Sequence, residues 1–167
     1  TGMYQTFGAS IDYQGGKYGI GILTKEKPVS WKRIPLPGRE EARSLLIVEL
    51  KDLVLGCTHF SLNQEDRLAS AGIVSSSFSG YDKPVFLAGD LNAVPESEVM
   101  KRFESYWNIL TNTSVPTIPS DKPSKCIDYI LGLKSDGRTF VTNKTVVEDE
   151  PVASDHLPVW AEIEVAY

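Results

Sequence analysis

The chain has 167 residues, 41% of them hydrophobic and 23% charged, which is the size and composition of one folded domain rather than a disordered tail. Seventeen Lys and Arg against twenty-two Asp and Glu leave a net charge of -5. That balance argues against a generic electrostatic nucleic-acid binder. No apolar run approaches the ~18 residues of a membrane span, and the opening at Thr1 carries no basic start or apolar stretch of a secretion signal.

Residues 17–24 (KYGIGILT) read as a glycine-interrupted strand, and residues 28–34, fenced by Pro28 and Pro35, as an edge strand. SLLIVEL (44–50) and LVLGCTHF (53–60) are two β-rich runs joined at Lys51-Asp52, the pattern of a hairpin. The period then changes. Leu68, Ala71, Val74 and Phe78 form a helical stripe, with Ser61 or Asn63 as its cap and Gln64 or Asp66 three residues on. PVFLAG (84–89) is a short continuous apolar run, expected in the buried centre of a sheet. Pro95 is placed to open a second helix, with Glu96 and Glu98 in its first turn. Residues 111–125, rich in Thr, Ser, Pro and Asp, read as a long loop. CIDYIL (126–131) and FVTNKTVV (140–147) read as strands. VWAEIEV (159–165) alternates apolar and polar residues as a half-buried strand does. Helices inserted between strands favour an α/β sandwich over an all-β barrel.

Polar residues collect at the ends of these runs. His59 ends one strand, Asp90 and Asn92 follow PVFLAG, Asp128 lies within CIDYIL, and Asp155 and His156 precede the last strand. Open sheets converge their ligand-binding groups at strand ends. Each residue also has a plain structural role open to it. Asp90 and Asn92 suit an Asx turn, Asp155 suits a turn into the last strand, and a lone His59 suits a satisfied structural histidine. Asp128, flanked by Ile127 and Tyr129, is harder to explain that way, because a carboxylate in an apolar strand is costly unless paired.

Rival chemistries find little support. The chain has no G-x-S-x-G elbow and no G-x-x-x-x-G-K-[ST] loop. The glycines at 15, 16, 19 and 21 do not form a dinucleotide fingerprint. Cys57 and Cys126 make no disulfide framework, and with two His at unpaired spacing they make no closed zinc site. Cys57 shares a strand face with His59, but its apolar run raises a thiol's pKa and leaves it inert.

THF (58–60), GDLN (89–92), IDYIL (127–131) and SDHLPV (154–159), in that order, resemble the endonuclease/exonuclease/phosphatase superfamily of the deoxyribonuclease-I-type fold, and GGKYGIGILTK (15–25) resembles the strand pair opening the second half of that domain. The resemblance implies an α/β sandwich of two mixed β-sheets flanked by helices, across residues 1–167. It also implies a metal-dependent phosphodiesterase, nuclease or phosphatase. Here His156 resembles the general base and Asp128 the carboxylate that orients it. Asp90 would position the attacking water, Asn92 would hydrogen-bond a phosphoryl oxygen, and His59 would contact the scissile phosphate. Asp155 resembles a metal-side carboxylate, in a hard-oxygen site suited to Mg²⁺ or Mn²⁺.

Two departures qualify the likeness. The family's opening strand with its metal-side Asn, and its Gln-Glu strand end whose Glu binds the metal, have no counterpart here; Gln14 and Gln64 stand in other contexts. Cys126 stands where many relatives place a basic residue. The chain is thus expected to be an N-terminally incomplete domain, one sheet short of strands, with an exposed edge. Dimerisation across that edge, or a partner supplying the strands, follows as an expectation. The alternative reading is a catalytically incomplete fragment or subunit that acts only in an assembly. The partner otherwise expected is a phosphate-ester substrate, with nucleic acid disfavoured by the net charge.

Overall fold

The computed structural model describes residues 1–167. A six-stranded mixed sheet forms the centre, in the spatial order β3-β4-β5-β6-β8-β7. Its strands are β3 (Ser30–Leu36), β4 (Arg43–Glu49), β5 (Val54–His59), β6 (Val85–Asp90), β7 (Trp107–Ile109) and β8 (Asp128–Leu133). Two antiparallel ribbons stand apart from it. They are β1 (Tyr4–Tyr13) with β2 (Gly16–Thr24), and β9 (Thr139–Val147) with β10 (Val159–Ala166). Helices α1 (Gln64–Ser77) and α2 (Glu98–Glu104) complete the α/β architecture.

Strand alternation explains the layers. Leu45 and Ile47 of β4, Val54 of β5, Val85 and Leu87 of β6 and Tyr129 and Leu131 of β8 share one buried cluster with Ala71, Val74 and Phe78 of α1 and Met100 and Phe103 of α2. The alternate residues Leu46 and Val48 point the other way, to Ile22 of β2, with Leu55 and Cys57 packed against them. A residue and its neighbour thus face opposite layers, as the two-residue period of a strand requires. Trp107 locks the helical side. It is 1% exposed, meets Phe78 edge-on at 5.5 Å between ring centroids, and donates its Nε1–H to Ser75 Oγ at 3.1 Å. Large aromatic burial with its polar tip satisfied is a stabilising combination.

The β4–β5 hairpin, the α1 stripe, the central position of PVFLAG and the edge position of the strand expected over 28–34 agree with the sequence reading, although Pro35 lies inside β3, opposite Ser44, rather than fencing it. Asn63 is the α1 cap, its side chain accepting from Glu65 N at 2.9 Å and Asp66 N at 3.3 Å. Other boundaries differ. The second helix begins at Glu98, with Ser97 capping Met100 N, so Pro95 and Glu96 sit in a preceding turn. Ser97 offers a side-chain acceptor that Val94 cannot. Strand β8 begins at Asp128 rather than Cys126. Strands β1 and β7 have no counterpart in the sequence reading. In β1 the inward residues include Thr6 and Gly8, while Tyr4, Phe7 and Tyr13 face solvent, which inverts the usual hydrophobic alternation. Strand β7 is three residues long. Both cysteines are free, Cys126 buried and Cys57 half-buried.

Candidate active site

Register brings three polar residues into one row. In the parallel β5–β6 pair His59 lies opposite Asp90. In the antiparallel β6–β8 pair Asp90 lies opposite Asp128. Paired residues in neighbouring strands project to the same face, so all three emerge on the ribbon side, at the C-terminal ends of β5 and β6. Below them on that face lie the rows Cys57, Ala88, Ile130 and Leu55, Phe86, Gly132.

Two glycine-like backbone conformations let the row form. Gly89 has φ 149°, and a Cβ there would sit 1.9 Å from Thr58 O, so β5 and β6 can come this close beside Asp90 only with glycine. Asn92 has φ 47°, a left-handed conformation that Asn tolerates better than most residues. The turn is fastened by Asn92 N donating to Asp90 Oδ1 at 2.7 Å and Asn92 Nδ2 donating to Phe60 O at 2.9 Å. The Asx-turn role is therefore real. It leaves Asp90 Oδ2 facing the site.

His156 reaches the row from the loop before β10. Its Nδ1 donates to Asp128 Oδ2 at 2.9 Å, and its Nε2 lies 4.0 Å from Asp90 Oδ2. Asp128 Oδ2 also accepts Thr117 Oγ1–H at 2.6 Å, while Thr117 Oγ1 accepts from Ile127 N at 3.3 Å. That donor–acceptor order leaves the hydroxyl proton one direction, toward the carboxylate. Thr117 is 1% exposed. Its loop holds the His156 segment by backbone bonds. Leu157 N donates to Thr117 O at 2.8 Å and Ser120 N to Asp155 O at 2.7 Å. Ser120 Oγ donates to Ser154 O at 2.8 Å.

His59 Nε2 lies 3.3 Å from Asp90 Oδ2, and its Nδ1 contacts Arg43 Nη1 at 3.2 Å. Thr117 and Arg43 were both absent from the residues singled out in the sequence. No local pattern marks Thr117 within a Thr/Ser/Pro-rich loop, and Arg43 reads as the polar start of an apolar strand.

The electrostatics separate the two imidazoles. Burial, together with the Arg43 charge and His156, pushes the His59 pKa down to about 4 against the pull of Asp128. Burial acts in the same direction on His156, but its hydrogen bond to Asp128 and the charges of Asp128, Asp90 and Asp155 outweigh it and raise the pKa above the ordinary value. Asp90 is raised to about 6, chiefly by burial and then by Asp128, against the opposing bond from Asn92 N. Near neutrality the row therefore combines an uncharged His59, an oriented His156 and a carboxylate held under electrostatic pressure.

Asp90, Asp128 and His156 offer ligand atoms within 4.8 Å of one another. Asp128 Oδ2 already carries the bonds from Thr117 and His156, whereas Asp90 Oδ2 has only the near contacts of His59 Nε2 at 3.3 Å and His156 Nε2 at 4.0 Å. Asp155 lies outside this group. Its side chain is exposed, with Ser154 Oγ at 3.4 Å from Oδ1. One or two open carboxylates completed by water suit a hydrated Mg²⁺ or Mn²⁺, and a cation beside Asp90 would relieve the pressure on its charge. The donor chemistry thus fits a divalent ion. The row, the hydrogen-bonded Asp128–His156 pair and the neutral His59 imidazole bring proton-accepting and hydrogen-bond-donating groups together at one strand end.

No curated protein sequence is a significant match. A mannosyl-6-phosphatase of Bacteroides thetaiotaomicron superposes over 98% of this chain and 77% of its own at 16% identity and a TM-score of 0.73. An endonuclease/exonuclease/phosphatase from Bacteroides vulgatus does so over 98% and 76% at 14% identity and a TM-score of 0.77. The catalytic domain of human Nocturnin, solved with bound sulfate, does so over 99% and 73% at 19% identity and a TM-score of 0.74. Identities this low speak for a shared fold. The sequence model of the Endonuclease/Exonuclease/phosphatase family matches residues 2–156, a span that contains the whole row from His59 to His156, and so the chain belongs to that family.

Proposed function

We propose that the chain hydrolyses phosphoric esters with divalent-metal assistance. The observation that carries this reading is the line Thr117–Asp128–His156, with its free Nε2 directed toward Asp90. A water beside Asp90 Oδ2 attacks phosphorus. As the new P–O bond forms, His156 Nε2 takes the proton and the P–O bond to the alcohol breaks, the alkoxide being protonated from solvent. Asp128 holds His156 in the Nδ1–H tautomer and favours its charged form. Asn92, with one N–H still free beyond its bond to Phe60 O, and His59 donate to phosphoryl oxygens. Mg²⁺ or Mn²⁺ held at Asp90 would supply positive charge against the negative charge that develops on the phosphoryl group. The likeness to a mannosyl-6-phosphatase and the net charge of -5 favour a small phosphate ester over a long polyanion.

A second reading, in which the chain acts only in an assembly, has its own support. Ala88 lies mid-strand in a central strand of the six-stranded sheet and is nevertheless exposed. Ribbon β1–β2 covers the β3–β5 side, and ribbon β9–β10 approaches β8 and sets Phe140 edge-on against Phe86, which leaves the face open over Ala88. A second copy or a partner strand covering that face would complete the layer.

One assay separates the readings. Hydrolysis of phosphomonoesters to phosphate, or of phosphodiesters to a monoester and an alcohol, is expected from the isolated chain with added Mn²⁺ or Mg²⁺ and not with chelator. Inert monomer, with activity only in a self-associated form, favours the second reading. Within the first, Thr117→Val is expected to lower kcat roughly tenfold, because a hydrogen bond to a charged group is worth about 1.5–3 kcal/mol. Steady-state kinetics at saturating substrate measure this, and an unchanged kcat removes Thr117 from the line.

A further inference from the structure

The two histidines beside Asp90 have Nδ1 partners of opposite character. His156 Nδ1 meets a carboxylate, Asp128 Oδ2 at 2.9 Å. His59 Nδ1 meets a guanidinium, Arg43 Nη1 at 3.2 Å. A guanidinium has five N–H donors and no acceptor, so His59 Nδ1 must offer its lone pair, and the ring proton resides on Nε2. The carboxylate imposes the reverse on His156. We infer that Arg43 is a positioning residue that holds His59 as the Nε2–H tautomer, a fixed hydrogen-bond donor aimed into the site from the side opposite the His156 base.

The surroundings of Arg43 support this role. It opens β4, which pairs with β5, and its side chain is 8% exposed. Burying a cation there is costly unless the charge is answered. Glu41 Oε1 answers it, accepting from the same Nη1 at 2.8 Å. That contact also fixes the nitrogen that faces His59. Arg43 Nε has no hydrogen-bond partner in the protein, so the guanidinium is not there to complete a structural network. Its aligned contacts are the carboxylate that steers it and the imidazole it steers. His59 Nε2 lies 3.3 Å from Asp90 Oδ2 without an aligned hydrogen bond between them. A phosphoryl oxygen entering beside Nε2 would accept the proton that Asp90 does not. Two imidazoles locked in opposite tautomers divide the work, one accepting from the nucleophile and one donating to the anion.

The inference rests on the phosphoester reading for what His59 touches, but not for the tautomer. Ring nitrogens of ¹⁵N-histidine-labelled protein, observed well above the usual imidazole pKa of about 6.5, separate the two questions. His59 is expected to show a protonated Nε2 and an unprotonated Nδ1 shifted by the hydrogen bond it accepts; His156 is expected to show the reverse. Arg43→Lys keeps a donor and is expected to retain the His59 pattern. Arg43→Met is expected to lose the Nδ1 hydrogen-bond shift and to lower kcat roughly tenfold with KM changed less than about twofold, the scale on which partners of active-site histidines act. A protonated Nδ1 on His59 in the wild-type protein overturns the inference, as do unchanged ring shifts in Arg43→Met. A raised KM with unchanged ring shifts does so too, since it would make Arg43 a direct substrate contact. If Arg43→Met fails to fold, the wild-type and Arg43→Lys spectra still decide. If no phosphoester is turned over while the tautomers are as stated, the functional reading fails and the positioning role stands.

Discussion

His156→Ala is expected to lower phosphoester turnover roughly 10²–10⁴-fold, the range over which a positioned general base acts, with some loss of stability as well, because it removes one of the two hydrogen bonds on the largely buried Asp128 carboxylate. The pH profile makes the test sharper. The base works unprotonated, and the His156 pKa is raised above its ordinary 6.5, the Asp128 hydrogen bond and the neighbouring carboxylates overcoming the effect of burial. Turnover should therefore fall as pH drops through a value above 6.5. Ionised Asp90, raised to about 6, adds to the same acidic limb. Asp128→Asn removes the charge that raises His156 and leaves at most a neutral amide acceptor for its Nδ1–H, so the limb should move to lower pH while the plateau drops. An acidic limb that stays in place in Asp128→Asn would separate Asp128 from the base. The stability linkage has the opposite sense. A histidine whose folded pKa exceeds its unfolded one contributes stability that is full below the unfolded value and is lost as pH rises through the folded value. On the proposed mechanism, turnover is thus expected to be greatest where His156 no longer contributes that stability.

The row was legible in the sequence because strand alternation does most of the work. THF, GDLN and IDYIL each place one polar residue at a strand end, and pairing in register sets those ends side by side. Asp128 stood out by burial cost alone, and its two bonds at Oδ2 answer that cost. Thr117 and Arg43 were not legible, because each acts through a neighbour distant in sequence: Thr117 on Asp128 eleven residues on, and Arg43 on His59 sixteen residues on. Their types carry no signal until the chain has folded. Strand β1 was hidden for a different reason. Its aromatic residues Tyr4, Phe7 and Tyr13 face outward, so its pattern does not announce a buried face. Asp155 was read as a metal-side carboxylate from the resemblance; it adds to the charge that His156 feels, and its exposed carboxylate lies outside the group formed by Asp90, Asp128 and His156.

Gly89→Ala is expected to be among the most damaging single-methyl changes in the protein. Gly89 combines φ 149° with a Cβ position 1.9 Å from Thr58 O and 3.0 Å from Thr58 C. The first feature alone costs on the order of 1–3 kcal/mol for a non-glycine residue. The second cannot be relieved by rotating a side chain, because the obstacle is backbone. Strands β5 and β6 would have to separate at the Thr58–Gly89 pair, one residue below His59 and Asp90. A total loss of about 4 kcal/mol or more is expected, a size reserved for a few mechanisms of which backbone collision is one. At roughly 2–4 °C per kcal/mol for a chain of this length, the thermal midpoint should fall by about 8–16 °C. Turnover should drop even at temperatures where the variant remains folded, since His59 and Asp90 move with their strands. Gly80→Ala is the control. Gly80 has φ 91° but nothing within 4 Å of its Cβ position, so it should show the conformational cost alone and leave turnover intact. If the two variants melt together, within about 2 °C, steric contact at Gly89 is not what holds β5 and β6 at their spacing beneath the site.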